Sequence, residues 1–484
     1  VSIYLHNYWS LYSEFIHVLK DVKYREIPVA VMTNFYQQIN DELRSAMEHQ
    51  DFEKKLSSSG IKQPSGIQPF FESLLAPVKQ PAQGNPDGKI LINLDYTRIP
   101  EKKLTEYFSR EHTLIVSRSR VPEYFGIPNV CIGNFKSDTS QASEALIRKA
   151  TAMLAQYKAH PALGHPVFIE TFLKRIPAIV DAIETVNQLY DQIPVTTVLI
   201  GTSEDVASRS LAVVAAMRGI PSICLQHGIL MGEEAFIPVF SSHVGVYGEY
   251  EKSWFMARGL EEYRIAVTGH PRYDELFTDE RKAQDSFSGE HGLDPHKITL
   301  LLATGPSLDA TKIQALVTDL VTDGRFQFII KPHPWELSKK LISLYTELET
   351  KLEAVHVIKD RKTDIRDLIK NSDGVLASLS TVALEGLLMD KPVFVYHFIQ
   401  ANREYDYYNA LDHYIQNEPA ELVKAVSLYY SSDQEKLHYE AVKNKFLLQA
   451  YRTEHSGNML TRWISQWTNR RAEYKGGDRD VLQE

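Results

Sequence analysis

Ile330-Lys331-Pro332-His333-Pro334 and, further along, Asp373-Gly374-Val375-Leu376-Ala377-Ser378-Leu379-Ser380-Thr381-Val382-Ala383-Leu384-Glu385-Gly386 decide how this chain is read. Each stretch is an apolar, strand-like run that stops at a polar turn, and the second turn opens a helix. An open α/β sheet builds anion pockets in this way, because hydroxyls and backbone N–H groups converge at a helix N-terminus. Lys331 and His333 place a cation and an imidazole at a neighbouring strand end. The pattern reads as a site for a nucleotide mono- or diphosphate, which points to an enzyme rather than a scaffold.

Working outward, one junction recurs. Pro28 leads into Val29-Ala30-Val31-Met32, Pro128 into Asn129-Val130-Cys131-Ile132, and Pro194 into a run ending Val198-Leu199-Ile200. Pro221 leads into Ser222-Ile223-Cys224-Leu225, and Pro392 into Val393-Phe394-Val395-Tyr396. Proline is tolerated at the first position of a strand, where its missing N–H costs least. Short apolar strands alternating with amphipathic segments indicate a parallel sheet covered on both faces, so the fold class is α/β.

At 484 residues the chain is too long for one ordinary core, and two large domains are expected. The first spans 1–276 and contains a stretch rich in Ser, Pro, Gly and Gln, 57–95, that reads as an insertion or long surface loop. A polar linker, 277–297, leads to the second domain, 298–450, followed by a helix over 451–468 and a charged, frayed tail, 469–484.

Hydrophobic content of 43% and charged content of 24% belong to a soluble globular protein, and a cytoplasmic location is expected. The net charge of −9 argues against nucleic-acid binding, which favours a basic surface. Cys131 and Cys224 lie in apolar runs and read as buried thiols of a reducing compartment rather than a disulfide. No apolar run reaches the ~18–20 residues of a membrane span, and no secretory leader is read at the start. The chain begins at Val1, not Met, and a preceding piece is expected.

Chemistry should gather at strand C-terminal ends. In the second domain these are Thr304-Gly305-Pro306-Ser307, Lys331-Pro332-His333-Pro334 and Ser378-Leu379-Ser380-Thr381. Two prolines stiffen the His333 turn, which is either a ligand contact or only a rigid turn. Glu385 lies four residues after Thr381 and five after Ser380, so a capping box does not account for it. It is placed to receive a ribose hydroxyl, or it is an ordinary solvated side chain.

In the first domain the corresponding ends are Gly201-Thr202-Ser203-Glu204-Asp205, Gln226-His227-Gly228 and Gly269-His270-Pro271-Arg272-Tyr273-Asp274. His227 reads as a general base, with an ordinary pKa near ~6.5, or as a buried hydrogen-bonded histidine. Gly269 and Pro271 shape a turn presenting His270 and Arg272, where Arg272 either clamps a phosphate or pairs with Asp274. No Walker A motif, no Gly-x-Gly-x-x-Gly after a strand and no zinc-like Cys/His spacing occurs. Asp478-Arg479-Asp480 in the tail reads as solvated charge. A metal-independent reaction with no cofactor is therefore expected, the leaving-group charge being met by helix N-termini, Lys331 and His333.

The order of Gln226-His227-Gly228, Gly269-His270-Pro271-Arg272-Tyr273-Asp274, Lys331-Pro332-His333-Pro334 and Ser378-Leu379-Ser380-Thr381 with Glu385-Gly386 resembles the GT-B glycosyltransferases. The branch it is similar to makes bacterial capsule, teichoic-acid and spore-coat polysaccharides of the cell envelope, and includes the CDP-glycerol glycerophosphotransferases. The resemblance implies two Rossmann-like domains facing a cleft, with a C-terminal helix crossing back onto the first. It implies that His333, Ser380, Thr381 and Glu385 hold the nucleotide and phosphates of a CDP-, CMP- or UDP-type donor, to which the reading of the strand ends adds Thr304, Gly305, Lys331 and Ser378. It further implies that His227 is the catalytic base; the polar strand ends themselves add Asp205 as a second catalytic candidate and Gln226, Gly228, His270 and Arg272 as candidate acceptor or phosphate contacts. The glycerophosphotransferases carry Trp where this chain has Gln226, and they lack the full Lys-Pro-His-Pro. That motif is nearer to capsule sugar transferases and to the non-hydrolysing UDP-sugar 2-epimerases, so the transferred group is a sugar or a polyol phosphate.

The leading expectation is an inverting transferase acting on a surface-polysaccharide or lipid-linked acceptor, which would bring the enzyme to the inner face of the membrane. A 2-epimerase on the same fold is the alternative, with Glu204, Asp205 and Glu233 available as carboxylates. A non-catalytic nucleotide-sugar-binding or assembly subunit is the third.

Overall fold

Aliphatic runs buried on both sides form the strands of two sheets in the computed structural model, which describes residues 2–56, 60–83, 85–278, 287–306, 308–398, 405–451 and 454–468. A short hairpin, β1 (Lys23–Tyr24) and β2 (Ile27–Pro28), comes first. The strands β3 (Lys89–Asn93), β4 (Thr113–Ser117), β5 (Glu123–Tyr124), β6 (Ile127–Cys131), β7 (Val195–Ile200), β8 (Ser222–Leu225), β9 (His243–Val246) and β10 (Ile265–Val267) form one sheet. Its order is β10-β9-β8-β7-β3-β4-β6-β5. The strands β11 (Ile298–Ala303), β12 (Phe326–Lys331), β13 (Val355–Val357), β14 (Gly374–Ala377), β15 (Val393–Tyr396) and β16 (Ile415–Gln416) form the other, in the order β13-β12-β11-β14-β15-β16. Within these two sheets every neighbouring pair is parallel except β5 with β6.

Strand order reverses between β3 and β7 in the first sheet and between β11 and β14 in the second. At such a switch the crossovers leave on opposite sides, so a crevice opens beyond the strand C-termini, and ligands bind there. Register brings the second set of ends level, since Ala303 pairs with both Lys331 and Ala377. Thr304, Pro332 and Ser378 therefore follow from one line across the sheet.

The chain divides into two units: the first runs to Arg272 and regains the described residues from His455 onward, and the second is Tyr273–Glu454. In the first, the helices Ile3–Leu19 and Pro166–Gln192 bring aromatic side chains into one core. Tyr12 stacks on Phe35 at 4.3 Å, and Phe15 meets Phe168 and Phe172 edge-on at 5.5 and 5.0 Å. The helix Ser456–Thr468 returns to this unit because Leu460 and Ile464, one turn apart, are buried among Ile92, Leu199 and Leu225. In the second unit Tyr273 packs edge-on against Tyr451 at 5.4 Å, which holds the departing and returning segments together.

Two expectations are corrected. The segment 57–95 is not an insertion. It supplies β3, the centre of the first sheet, and the helix Ile67–Leu75, whose Ile67, Phe71 and Leu75 are buried. Turn-forming residues surround these short elements and mask their periodicity. Val29–Met32 is a buried 3-10 turn rather than a strand. The Arg209 guanidinium donates to the carbonyls of Val31 and Thr33 at 3.1 and 2.8 Å, which gives this segment partners outside any ladder. Ser307, residues 279–286 of the expected linker and the tail 469–484 lie outside the described residues. Cys131 and Cys224 are free thiols, on β6 and β8, and burial pushes the Cys224 thiol up to about 12. No helix among the described residues is long and apolar enough to cross a membrane.

Candidate functional site

Polar groups collect at each switch crevice, and the two units are taken in turn. In the first, β8 ends at Gln226-His227-Gly228. The Gln226 amide nitrogen donates to the Gly228 carbonyl at 2.8 Å and to Glu251 Oε1 at 3.1 Å, while its oxygen accepts from Tyr247 N at 3.2 Å. Gln226 thus fixes the turn that carries His227. Burial pushes the Glu251 carboxyl up to about 8, although its hydrogen bonds from Gln226 and Gly248 act in the other direction.

The His227 ring stacks on Phe236, 5.1 Å between centroids and 15° between planes. Burial, with the positive charge of Arg98 next and that of Arg272 smaller, pushes its pKa down to about 4, so the imidazole is neutral at physiological pH. Arg98 also donates to the His227 carbonyl at 2.9 Å. Arg98 and Tyr96 both sit in the left-handed region, at φ 51° and 64°, in the loop after β3. Such conformations cost of order 1–3 kcal/mol each and persist only where the surroundings impose them. Gly201, at the end of β7, imposes this one: a Cβ there would lie 2.2 Å from the Tyr96 backbone, so only glycine lets the two switch strands' loops meet.

His270 and Arg272 are not presented outward. His270 is fully buried, its Nδ1 accepts from Arg272 N at 3.1 Å, and burial together with the Arg272 charge holds its pKa well below the ordinary value. Arg272 is buried as well and donates to the Tyr247 hydroxyl at 3.3 Å. Asp205, expected as a second catalytic group, has a structural place. It is the N-cap of the helix Val206–Met217 and accepts from Ala207 N, Ser208 N and Ser208 Oγ at 3.0, 2.9 and 2.5 Å. A cavity of about 300 Å³ opens beside these residues, lined by Asn34, Tyr96, Arg175, Thr202 and Glu204. Burial raises the pKa of Glu204 there.

In the second unit the ends of β11 and β12 and the helix Ser343–Lys351 meet around Glu336, a residue not singled out from the sequence. Its carboxylate accepts from Thr304 Oγ1 at 2.6 Å, Tyr345 OH at 2.8 Å and His333 N at 2.9 Å. His333-x-x-Glu336 has the capping-box spacing, which was the available signal. His333 caps the helix Pro334–Lys339 and is exposed; its Nδ1 accepts from Trp335 N at 3.1 Å, so in the neutral ring Nε2 carries the proton. Lys331 is buried and donates to the Asp360 carbonyl at 2.7 Å, with burial lowering its pKa.

Gly305 faces Ser378, whose Oγ lies 3.4 Å from where a Cβ would stand. Ser380 is the N-cap of the helix Thr381–Leu388, yet its hydroxyl makes no capping bond. That leaves the hydroxyl and the first-turn N–H groups, beside half-buried Thr381, in the arrangement that binds anions. The Ser380 carbonyl is held by the Tyr408 hydroxyl at 2.6 Å. Glu385 is buried rather than solvated, with Arg366 Nε 3.7 Å from its carboxylate.

Two parallel, doubly wound sheets with a C-terminal helix returning to the first unit define an α/β fold of the GT-B type. Solved structures with this fold are similar to the chain at low identity. One is S. aureus MnaA with UDP, at 12% identity and TM-score 0.51, covering 79% of this chain and 97% of that one. Another is the UDP-GlcNAc 2-epimerase of Neisseria meningitidis bound to UDP-GlcNAc, at 13% identity and TM-score 0.52, covering 78% and 99%. The wall teichoic acid polymerase TagF soaked with CDPG matches at 12% identity and TM-score 0.43, over 82% and 92%. No family model and no curated protein matches the sequence.

Proposed function

We propose that this protein is a metal-independent, inverting GT-B transferase that moves a sugar or polyol phosphate from a nucleotide-activated donor to a cell-surface polysaccharide or lipid-linked acceptor. The observation that carries the proposal is His227, a neutral imidazole seated at a switch crevice and free of any carboxylate among its named partners. The acceptor hydroxyl oxygen attacks the anomeric carbon, or the phosphorus of a polyol phosphate. As that bond forms, the bond to the nucleotide's leaving oxygen breaks, and the hydroxyl proton passes to the imidazole. In the second unit the Ser380 hydroxyl and the first turn of the helix Thr381–Leu388 receive the departing phosphate charge, with His333 Nε2–H as a further donor. UDP and UDP-GlcNAc bound to structurally similar proteins support a nucleotide-activated donor. Work on a lipid-linked acceptor would place the protein peripherally at the inner membrane face.

A 2-epimerase needs paired acid and base groups, and the candidate carboxylates are largely committed elsewhere. Asp205 caps a helix, and Glu233 binds Trp9 Nε1 at 2.5 Å and Arg258 Nε at 2.7 Å. Glu204, in the 300 Å³ cavity, is the one left to support that second reading. Labelled CDP-, CMP- and UDP-activated donors, incubated with and without a lipid-linked saccharide, separate the readings. Acceptor-dependent release of nucleotide, abolished by His227→Ala, supports the transferase. Epimer formation without acceptor replaces it with the epimerase. Nucleotide binding with neither reaction leaves a non-catalytic subunit.

A further inference from the structure

Away from both sets of strand ends, the second unit gathers Asp412, His413 and His438. One carboxylate oxygen and two imidazole nitrogens lie within 4.8 Å of one another. The first two residues come from the 3-10 turn Asn409–Tyr414 and the third from the helix Asp433–Ala450. Asp412 Oδ2 is 3.4 Å from His413 Nδ1 and 3.7 Å from His438 Nε2. The imidazole rings are nearly parallel, 10° apart, with centroids 5.5 Å distant.

The far side of His413 gives this cluster its meaning. Its Nε2 lies 2.6 Å from Glu435 Oε1. A carboxylate only accepts, so Nε2 carries the proton, and in the neutral ring Nδ1 turns a lone pair toward Asp412. A lone pair facing a carboxylate oxygen at 3.4 Å is repulsive unless a cation lies between them. Metal-binding histidines are oriented in this same way, by a carboxylate on the nitrogen remote from the metal. Glu435 is itself held, because the Tyr414 hydroxyl donates to the same oxygen at 2.6 Å and Ser432 Oγ accepts from its backbone N–H at 3.2 Å.

We propose that Asp412, His413 and His438 form a binding site for a divalent transition metal of the zinc class, with Glu435 as the positioning residue for His413. Two imidazoles and a carboxylate are a zinc-type ligand set, and three protein ligands leave one position for water. Metal–ligand distances of ~2.0–2.2 Å require ligand atoms somewhat closer than they stand here. The side chains are 65%, 36% and 47% exposed, which leaves room to close. The metal would clip the 409–414 turn to the helix Asp433–Ala450.

The test is titration of Zn²⁺ alone into the metal-free 484-residue chain, above the ordinary imidazole pKa of ~6.5. Isothermal calorimetry gives affinity and stoichiometry, and Co²⁺ substitution gives a visible d–d spectrum. Wild type is expected to bind one equivalent more than His438→Ala, a change at an exposed position that leaves the fold intact. Glu435→Ala is expected to weaken that equivalent by ~10–100-fold. Equal stoichiometry and affinity in wild type and His438→Ala would overturn the site, as would a wild-type chain that binds no Zn²⁺.

Discussion

Gln226 Nε2 donates to Glu251 Oε1 across 3.1 Å and to the Gly228 carbonyl at 2.8 Å, so one amide joins the His227 turn to a carboxyl with no exposure at all. The Gln226 oxygen accepts from Tyr247 N, and the other Glu251 oxygen accepts from Gly248 N. The position before His227-Gly228 therefore carries a polar anchor. The bonds joining Gln226 to Glu251 and Tyr247 are buried, so a defect at Glu251 should be felt at the His227 turn.

This anchor has a pH signature. Glu251 stands raised from 4.5 to about 8, so the folded state holds its proton more tightly than the unfolded chain does. Its contribution to stability is full below 4.5 and is lost as pH rises through about 8. Melting temperatures of wild type and Glu251→Gln, measured across that window, are expected to converge or cross as pH rises, with wild type losing more. Parallel curves would show that the group does not titrate there.

His227 predicts a pH–rate profile. With its pKa pushed down to about 4, the acid limb of activity should fall well below the ordinary histidine range. Arg98→Ala removes a positive charge that disfavours the imidazolium, so the limb should move to higher pH. His227→Ala should lower kcat by ~10²–10⁴-fold, the usual worth of a positioned base. A wild-type limb near ~6.5 would instead assign the titration to a different group.

Asp205 separates capping from catalysis. Asp205→Asn keeps a good N-cap and should leave stability and turnover within a few-fold of wild type. Asp205→Ala should cost about 1 kcal/mol of stability in urea unfolding. If Asp205→Asn is inactive yet fully stable, the carboxylate has a chemical role after all.

Glu336 ties two strand ends of the second unit to the helix Ser343–Lys351. Its removal leaves the Thr304 and Tyr345 hydroxyls and the His333 N–H without an acceptor, at a cost of roughly 1–3 kcal/mol for each buried group left unmet. Glu336→Ala should lower the melting temperature and abolish the thermal shift given by CDP or UDP. Glu336→Gln should recover part of the stability, because one amide oxygen remains.

Much of this was legible in the sequence. The runs after Pro128, Pro194, Pro221 and Pro392 are strands, because a ladder is the commonest way for apolar runs that short to satisfy their backbone. Val29–Met32 carried the same signal and is a 3-10 turn, because a distant Arg209 supplies its partners. In the second unit Thr304, Ser378 and Ser380 fall at the switch between β11 and β14, since strand ends are readable from where apolar runs stop. The central strand β3 went unread, being framed by Pro, Gly and Gln that obscure a five-residue run.

The sequence by itself determined the α/β alternation, the polar strand ends and the residues with chemistry to offer, because these depend on local periodicity and on side-chain type. Only tertiary structure decided which strand ends adjoin, since strand order is set by crossovers and not by any one segment. It decided that His227 is neutral, because burial and the Arg98 charge come from elsewhere in the chain. It decided that Asp205 caps a helix and that His270 lies inside. It also brought His438 to Asp412 and His413, which no spacing in the sequence marks as partners.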